Sequence, residues 1–458
     1  MPSNPPSVGS FDDGLLSPIT AGYDGLVSDR AVLDALVTAE VALVRAWQHV
    51  GVAPVSAEAE VSAALGWVDT KHGCRDHGID LGALAAQSVA GGNPVIPLVG
   101  ALRSIVPESA RGWVHRGTTS QDILDSALMV VASHAVAQIL ADLTAAESAL
   151  QDFIRAHGDS VAAARTLTQH AVPTTLGARA GGWLNGIRRA RVRLEAVELP
   201  AQLAGAGGTL AAIGEIAEAS GAAGAVESAL VAAYADGLGL AAPTAPWHTS
   251  RWPVTELGDA LVQAIDALGK VATDVATASR TEIGELLEGT GGGSSAMPQK
   301  QNPVRSVLIR SAALRAPLLG ATLHTASAFA ADERPDGAWH AEWPTLRELV
   351  RLALGASAHG AELLRGLRVD DDAVARNLAL TGGLIVSERL GIVLTPLIGA
   401  ARFKDLIAAA SAGGDLAALI TALPEAAGLD VDALLDPAHY TGAAASIAAR
   451  ALDPESDR

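Results

Sequence analysis

Residues 289–304 read Gly-Thr-Gly-Gly-Gly-Ser-Ser-Ala-Met-Pro-Gln-Lys-Gln-Asn-Pro-Val. A glycine run leads into two serines, then a lysine and an asparagine just ahead of a stretch with helical spacing. Gly291, Gly292 and Gly293 give a backbone free to adopt positive φ, which predicts a catalytic loop that opens and closes. Asn302 and Pro303 suit the N-cap and first turn of the following helix. Ser294, Lys300 and Asn302 are then expected near a helix N-terminus, where an anion is favoured. A plain Gly/Ser linker has no use for Met297, Pro298 and Lys300 in that order. Lys300 is also one of only four lysines, with Lys71, Lys270 and Lys404, in a chain that otherwise takes its positive charge from arginine.

Outward from this loop the periodicity is helical and long. Apolar spacing predicts helices over 120–156, 174–198, 222–236, 254–288, 303–331 and 342–366, with prolines at or near several starts (Pro173, Pro253, Pro303, Pro344). Helices of about 25 to 35 residues span roughly 40 to 50 Å at 1.5 Å per residue, longer than an ordinary globular domain needs. Leu257, Ala260, Leu261, Ala264, Ile265, Leu268, Val271, Ala272 and Val275 wrap much of one helix, so it must be covered on several sides. The expectation is an all-α chain whose long-helix bundle associates with further copies. Shorter helices at 28–50 and 56–70, then Gly-rich turns, mark a first domain over 1–110. The bundle occupies 111–366, and shorter helices with Gly breaks form a third domain over 367–458.

Composition narrows the partners. The 458 residues carry 32 basic and 50 acidic side chains, a formal charge of −18, and no basic run, which argues against nucleic acid. A negatively charged substrate must then be held by a local cluster of arginine and lysine. The 3% aromatic content within 49% hydrophobic residues predicts an Ala/Leu/Val core. Cys74 is the single cysteine, which excludes intramolecular disulfides and suits a reducing compartment, so cytoplasm is expected. The start of the chain is polar and Pro-rich and reads as a floppy leader, not a signal peptide. The most apolar windows, 126–140 and 382–401, are broken by His134 and Gln138 or by Glu388 and Arg389, so no membrane partner is expected.

Three more segments place small polar residues ahead of helices. Residues 114–125 put Thr118, Thr119 and Ser120 where free helix N–H groups bind a carboxylate, or where either Thr119 or Ser120 serves as an N-cap. Residues 164–176 carry Gln169 and His170 before Pro173, with His170 either structural or functional. Residues 246–256 place His248 and Arg251 at another start, where Arg251 is either a carboxylate fork or a capping residue between Trp247 and Trp252. Asp332-Glu333-Arg334, followed by Trp339, His340, Glu342 and Trp343, is expected as a structured loop in which Arg334 binds substrate or pairs with an acid. No metal-ligand spacing and no dinucleotide or phosphate-loop pattern is found, so no cofactor is implied.

Together these segments resemble the fumarase/aspartase superfamily, whose serine loop has the form Gly-Ser-Ser-x-Met-Pro-x-Lys-x-Asn-Pro. The resemblance covers essentially the whole chain. It implies three helical domains, a homotetramer built on a central long-helix bundle, and active sites shared between subunits. It implies that Ser294 exchanges a proton at the carbon next to a carboxylate, with His170 the other candidate for that transfer. Lys300 and Asn302 would stabilise the aci-carboxylate, and Thr119, Ser120, Gln169 and the Asn93 segment would hold the substrate.

Two positions depart from many members. Leu167 stands where hydratases and adenylosuccinate-type lyases have His, and Val307 stands where they have the Glu that pairs with it. That pair handles the leaving group's proton, and such acid help contributes about 10²–10⁴-fold. A carboxylate, with pKa about 4, leaves unaided. Within the superfamily the chain is therefore most similar to the bacterial 3-carboxy-cis,cis-muconate cycloisomerases. Residues 91–99, the leucine-bearing 165–175 segment, 246–249 and 337–346 carry that similarity. The implied substrate is a small tricarboxylate closed to 4-carboxymuconolactone. The alternative is a same-fold lyase forming fumarate from a substituted succinate, of nitrosuccinate or adenylosuccinate type. Asp332 stands where many relatives have His before Glu-Arg.

Overall fold

Ser28 follows the Gly25–Val27 3₁₀ turn with extended backbone, and its side chain accepts from Ala31 N at 3.2 Å, which starts the Asp29–His49 helix. This is a computed structural model describing residues 14–222, 224–289, 292–293, 297 and 300–453. The described chain divides into two compact units, 1–141 with 192–265 and 311–358, and 142–191 with 266–310 and 359–458.

In the first unit the 29–49 helix is buried on most sides by Leu33, Leu36, Val41, Leu43, Val44 and Trp47, and the Val226–Leu238 helix packs along it. Trp47 is fully buried and donates through Nε1 to the Arg116 carbonyl at 3.0 Å. That bond ties the helix to the loop preceding Ser120–His157, a helix of 38 residues. Its first turns carry the polar residues Gln121, Asp122, Asp125 and Ser126, all buried. Trp252–Ala278 likewise begins in this unit, with Leu257, Leu261 and Ile265 turned inward.

The second unit contains what helical periodicity did not foresee. Residues 161–175 form an antiparallel hairpin, Val161–Thr166 against Gln169–Thr175, registered from Val161↔Thr175 to Thr166↔Gln169. Its two-residue turn holds Leu167 at φ 49° and Thr168 at φ 71°. Both central residues have positive φ, as a type I′ connection requires. Neither is glycine, and Thr168 is β-branched, so the turn is strained. The helix expected from 174 therefore starts later, at Leu176–Glu195, and Pro173 lies in a strand rather than at a helix start. A core of Ile385, Val386, Leu390, Leu394, Leu406 and Ile420 organises the C-terminal helices of this unit.

Other boundaries move for local reasons. The 254–288 stretch is helical only over Trp252–Ala278 and then extends into the Leu286–Leu287 strand, which pairs with Arg368–Val369. Gly337–Arg365 starts before Trp339, so Trp339 to Trp343 are helical and Pro344 lies inside the helix. Two helices, Ser120–His157 and Val304–Ala328, are long and apolar enough to cross a membrane by length and composition. The most apolar window of the first is 67% buried within the chain, against 33% for the second. On Val304–Ala328, Ile309, Ala312, Ala316 and Leu323 face inward while Leu314 and Leu318 stay 78% and 71% exposed.

Candidate active site

In the first unit the site grows from the start of the 120–157 helix. Asp122 lies in its first turn, where a negative charge meets the positive end of the helix dipole. Its Oδ2 accepts from Thr118 Oγ1 at 3.0 Å, Thr119 N at 3.0 Å and Gly205 N at 2.9 Å. Its Oδ1 accepts from Ala204 N at 3.0 Å and from His248 Nε2 at 2.7 Å. One buried carboxylate thus fixes the 117–119 loop, the 204–205 turn and His248. His248 Nδ1 is buried with no hydrogen-bond partner, which leaves the proton on Nε2, facing Asp122.

One helical turn further on, Asp125 accepts from Arg251 Nη1 at 2.7 Å and Nη2 at 3.0 Å, Trp339 Nε1 at 2.9 Å and Gln121 Nε2 at 3.2 Å. Glu342 receives Arg251 Nη2 at 2.7 Å and Nε at 3.0 Å, and Arg251 also donates to the Trp247 carbonyl at 3.1 Å. Burial works to lower the Arg251 pKa, but the carboxylates of Asp125 and Glu342 outweigh it and raise it above the ordinary guanidinium value. Burial lifts the Glu342 carboxyl above its ordinary 4.5 despite Arg251. The two directions agree with one cation being shared by two buried acids. The carboxylate fork read from the sequence engages two internal acids, Asp125 and Glu342, with Arg251 itself buried.

Thr119 and Arg334 do come together. Arg334 Nη2 donates to Thr119 Oγ1 at 2.5 Å and to the Ala206 carbonyl at 3.1 Å. The Thr119 hydroxyl therefore faces Arg334 instead of capping the helix, and Ser120 is the helix's first residue. Asn93 is buried, and its Oδ1 accepts from Val95 N at 2.8 Å, which anchors the Val95–Ile105 helix. Its neighbour Gly92 offers its carbonyl to His340 Nε2 at 3.1 Å. Asn93, Thr119, Ser120 and Arg334 all belong to this unit.

The second unit holds the remaining candidates. Ser294 lies outside the described residues. Lys300 is exposed, with its backbone N–H on the Met297 carbonyl at 3.0 Å. Asn302 is not an N-cap. It pairs with Gly292 in a two-stranded ladder, and the helix begins at Val304. The N-terminus expected to welcome a substrate anion is filled by Glu288, whose Oε1 accepts from Ser306 N at 2.8 Å and Ser306 Oγ at 2.7 Å, and whose Oε2 accepts from Arg305 N at 3.1 Å.

Gln169 and His170 open the second strand of the hairpin. Burial, then the charge of Arg165, lowers the His170 pKa below 6.5. Arg165 in turn grips the buried Glu285, at 2.9 Å and 2.5 Å, and Asn377 Nδ2 adds a bond at 2.9 Å. Burial opposes ionisation of Glu285, yet the bonds from Arg165 and Asn377 hold its pKa below 4.5. Asp122, Asp125, Glu285 and Glu288 were not singled out from the sequence. The available signal was acids at 122 and 125 on an otherwise apolar helix. Among the described residues no group of three or more His, Cys, Asp or Glu side chains is placed to hold a metal ion.

A family model described as "Lyase" matches residues 22–318. The chain belongs to this lyase family, the fumarase/aspartase superfamily. It is 46% identical to a nitrosuccinate lyase of Streptomyces davaonensis, over 96% of this chain and 94% of that protein. It is 40% identical to a 3-carboxy-cis,cis-muconate cycloisomerase of Pseudomonas aeruginosa, over 95% of this chain and 94% of that one. The crystal structure of a 3-carboxy-cis,cis-muconate lactonizing enzyme from Pseudomonas putida superimposes with a TM-score of 0.85 at 35% identity, covering 96% of this lyase and 98% of that chain.

Proposed function

We propose that this enzyme makes and breaks a bond next to an aci-carboxylate, with a partner anion that needs no proton. Ser294 takes the proton from the carbon beside a carboxylate, and Lys300 and Asn302 stabilise the resulting dianionic aci-carboxylate. Charge placed where charge develops is the largest lever such a site has. Thr119, Ser120 and Arg334, with the Asn93 segment, hold the substrate's carboxylates. The observation that carries the reading is at the hairpin tip. Leu167 is 96% exposed in the strained turn, so the position that bears the leaving-group histidine in other members projects an alkyl chain that can donate no proton.

Two substrates fit an anion that leaves unaided. The first reading is nitrosuccinate. Its C–H proton goes to the base, the C–N bond breaks, nitrite departs with the electron pair and fumarate remains. The 46% identity to a nitrosuccinate lyase favours it. The second reading is lactonisation of 3-carboxy-cis,cis-muconate, in which a carboxylate oxygen adds to the conjugated double bond and the aci-carboxylate is protonated at carbon. It is favoured by the cycloisomerase relatives at 40% and 35% identity and by the lactonizing-enzyme fold. Purified protein given each substrate, with nitrite release and muconate ultraviolet absorbance followed side by side, decides between them. Turnover of neither substrate, or turnover surviving in Ser294→Ala, overturns the mechanism.

The same reading includes a cytoplasmic homotetramer with three helical segments per chain and sites completed by neighbouring subunits. The open apolar side of the 304–328 helix supports it, since Leu314 and Leu318 lie one turn apart on that side.

A further inference from the structure

The strand that enters the serine loop and the helix that leaves it are joined by one side chain. Glu288, itself buried, reaches the N–H groups of Arg305 and Ser306 and the Ser306 hydroxyl. Pro303, ahead of the helix, has no side-chain oxygen, so the first-turn donors take their acceptor from far upstream in the sequence. The neighbouring residues are pinned as well. Glu285 is gripped by Arg165 and Asn377. At Gly289 an added Cβ would fall 2.6 Å from the Gly366 carbonyl oxygen, so only glycine allows that approach. Gly292↔Asn302 and Gly293↔Gln301 then close the ladder.

We propose that Glu288 is a positioning residue for the reaction. It acts through Lys300 and Asn302, which it keeps in register with the 304–328 helix by clamping both ends of the loop's base. It also fills that helix N-terminus with an internal carboxylate, so the substrate's carboxylates bind elsewhere. The proposal rests on the reading that Lys300 and Asn302 stabilise the intermediate.

The test separates a clamp from a simple helix cap. In Glu288→Ala, hydrogen exchange at the Arg305 and Ser306 amides rises at least about tenfold with no substrate present, since both lose their acceptor. With whichever substrate the wild type turns over, kcat falls by about 10- to 100-fold while KM stays within about threefold, the pattern of misplaced catalytic groups. Adding Pro303→Asp supplies a local cap. Tm then recovers toward wild type, and kcat does not. Recovery of kcat along with Tm, or a Glu288→Ala kcat within about twofold of wild type, overturns the positioning role. Unchanged amide exchange overturns the clamp itself. If wild type turns over neither substrate, the functional reading fails while the exchange measurement still decides the clamp.

Discussion

Replacing Asp122 by asparagine exchanges one carboxylate oxygen for an NH₂ of nearly the same size, so its cost can be worked from the bonds around it. The amide has two orientations. With its NH₂ in the Oδ2 position it opposes the Thr119 and Gly205 N–H groups, neither of which can turn away. With its NH₂ in the Oδ1 position it faces Ala204 N–H and His248 Nε2. The second orientation is cheaper, because His248 can move its proton to the partnerless Nδ1 and accept at Nε2. Only the Ala204 N–H is then orphaned, at about 1–3 kcal/mol. The remaining bonds lose their charge assistance, which roughly doubles a hydrogen bond's strength, so the total is about 3–5 kcal/mol. Urea unfolding followed by tryptophan fluorescence at fixed protein concentration measures the loss. KM rises in the folded fraction, because the Thr119 N–H bond to the retained Oδ2 oxygen loses its charge assistance and holds its loop less firmly. A loss under about 1 kcal/mol with unchanged KM would refute the hub reasoning.

Arg251→Met should cost about 3–5 kcal/mol by stranding Asp125 and Glu342 without a cation, with KM unmoved; a tenfold KM rise at unchanged stability would return Arg251 to the substrate. The lowered Glu285 pKa contributes stability that is present above the ordinary carboxylate value and lost as pH falls through the folded value. Asn377→Ala, which removes one of the bonds holding it down, should therefore be less stable than wild type at neutral pH, with the gap narrowing in acid to the cost of its other lost bond, to the Ile283 carbonyl; a difference that does not change with pH would contradict the linkage. Leu314→Glu with Leu318→Lys should shift the mass in light scattering from a multiple of the 46.3 kDa chain toward one chain; an unchanged assembly would place the subunit interface elsewhere.

The long helices were legible because a 3.6-residue repeat sustained over many turns has no competing explanation, and their starts fell within a few residues of the observed ones. The 161–175 hairpin was not. Its Thr, Gln and His side chains drew the eye as a polar cluster ahead of a helix, while Val161, Thr166, Val172, Thr174 and Thr175 carried the β-branched signal. The loop residues Lys300 and Asn302 and the pairing partners Thr119 and Arg334 were visible as candidates. The burial of Arg251 between two acids was not, because Asp125 and Glu342 lie about a hundred residues away on either side, and their convergence exists only in the folded chain. The same holds for Glu288, whose sequence neighbours give no sign that it will cap a helix starting beyond the loop.

Leu167, 96% exposed on its two-residue tip, sits outside the packing that keeps the protein folded. On the proposed mechanism, exchanging Leu167 for histidine together with Val307 for glutamate would change which departing groups can be handled, and neither side chain is buried in its own subunit. Such an arrangement would let one scaffold diversify its chemistry by a paired exchange, with the strained turn as the fixed mount and the alkyl or imidazole group as the replaceable part.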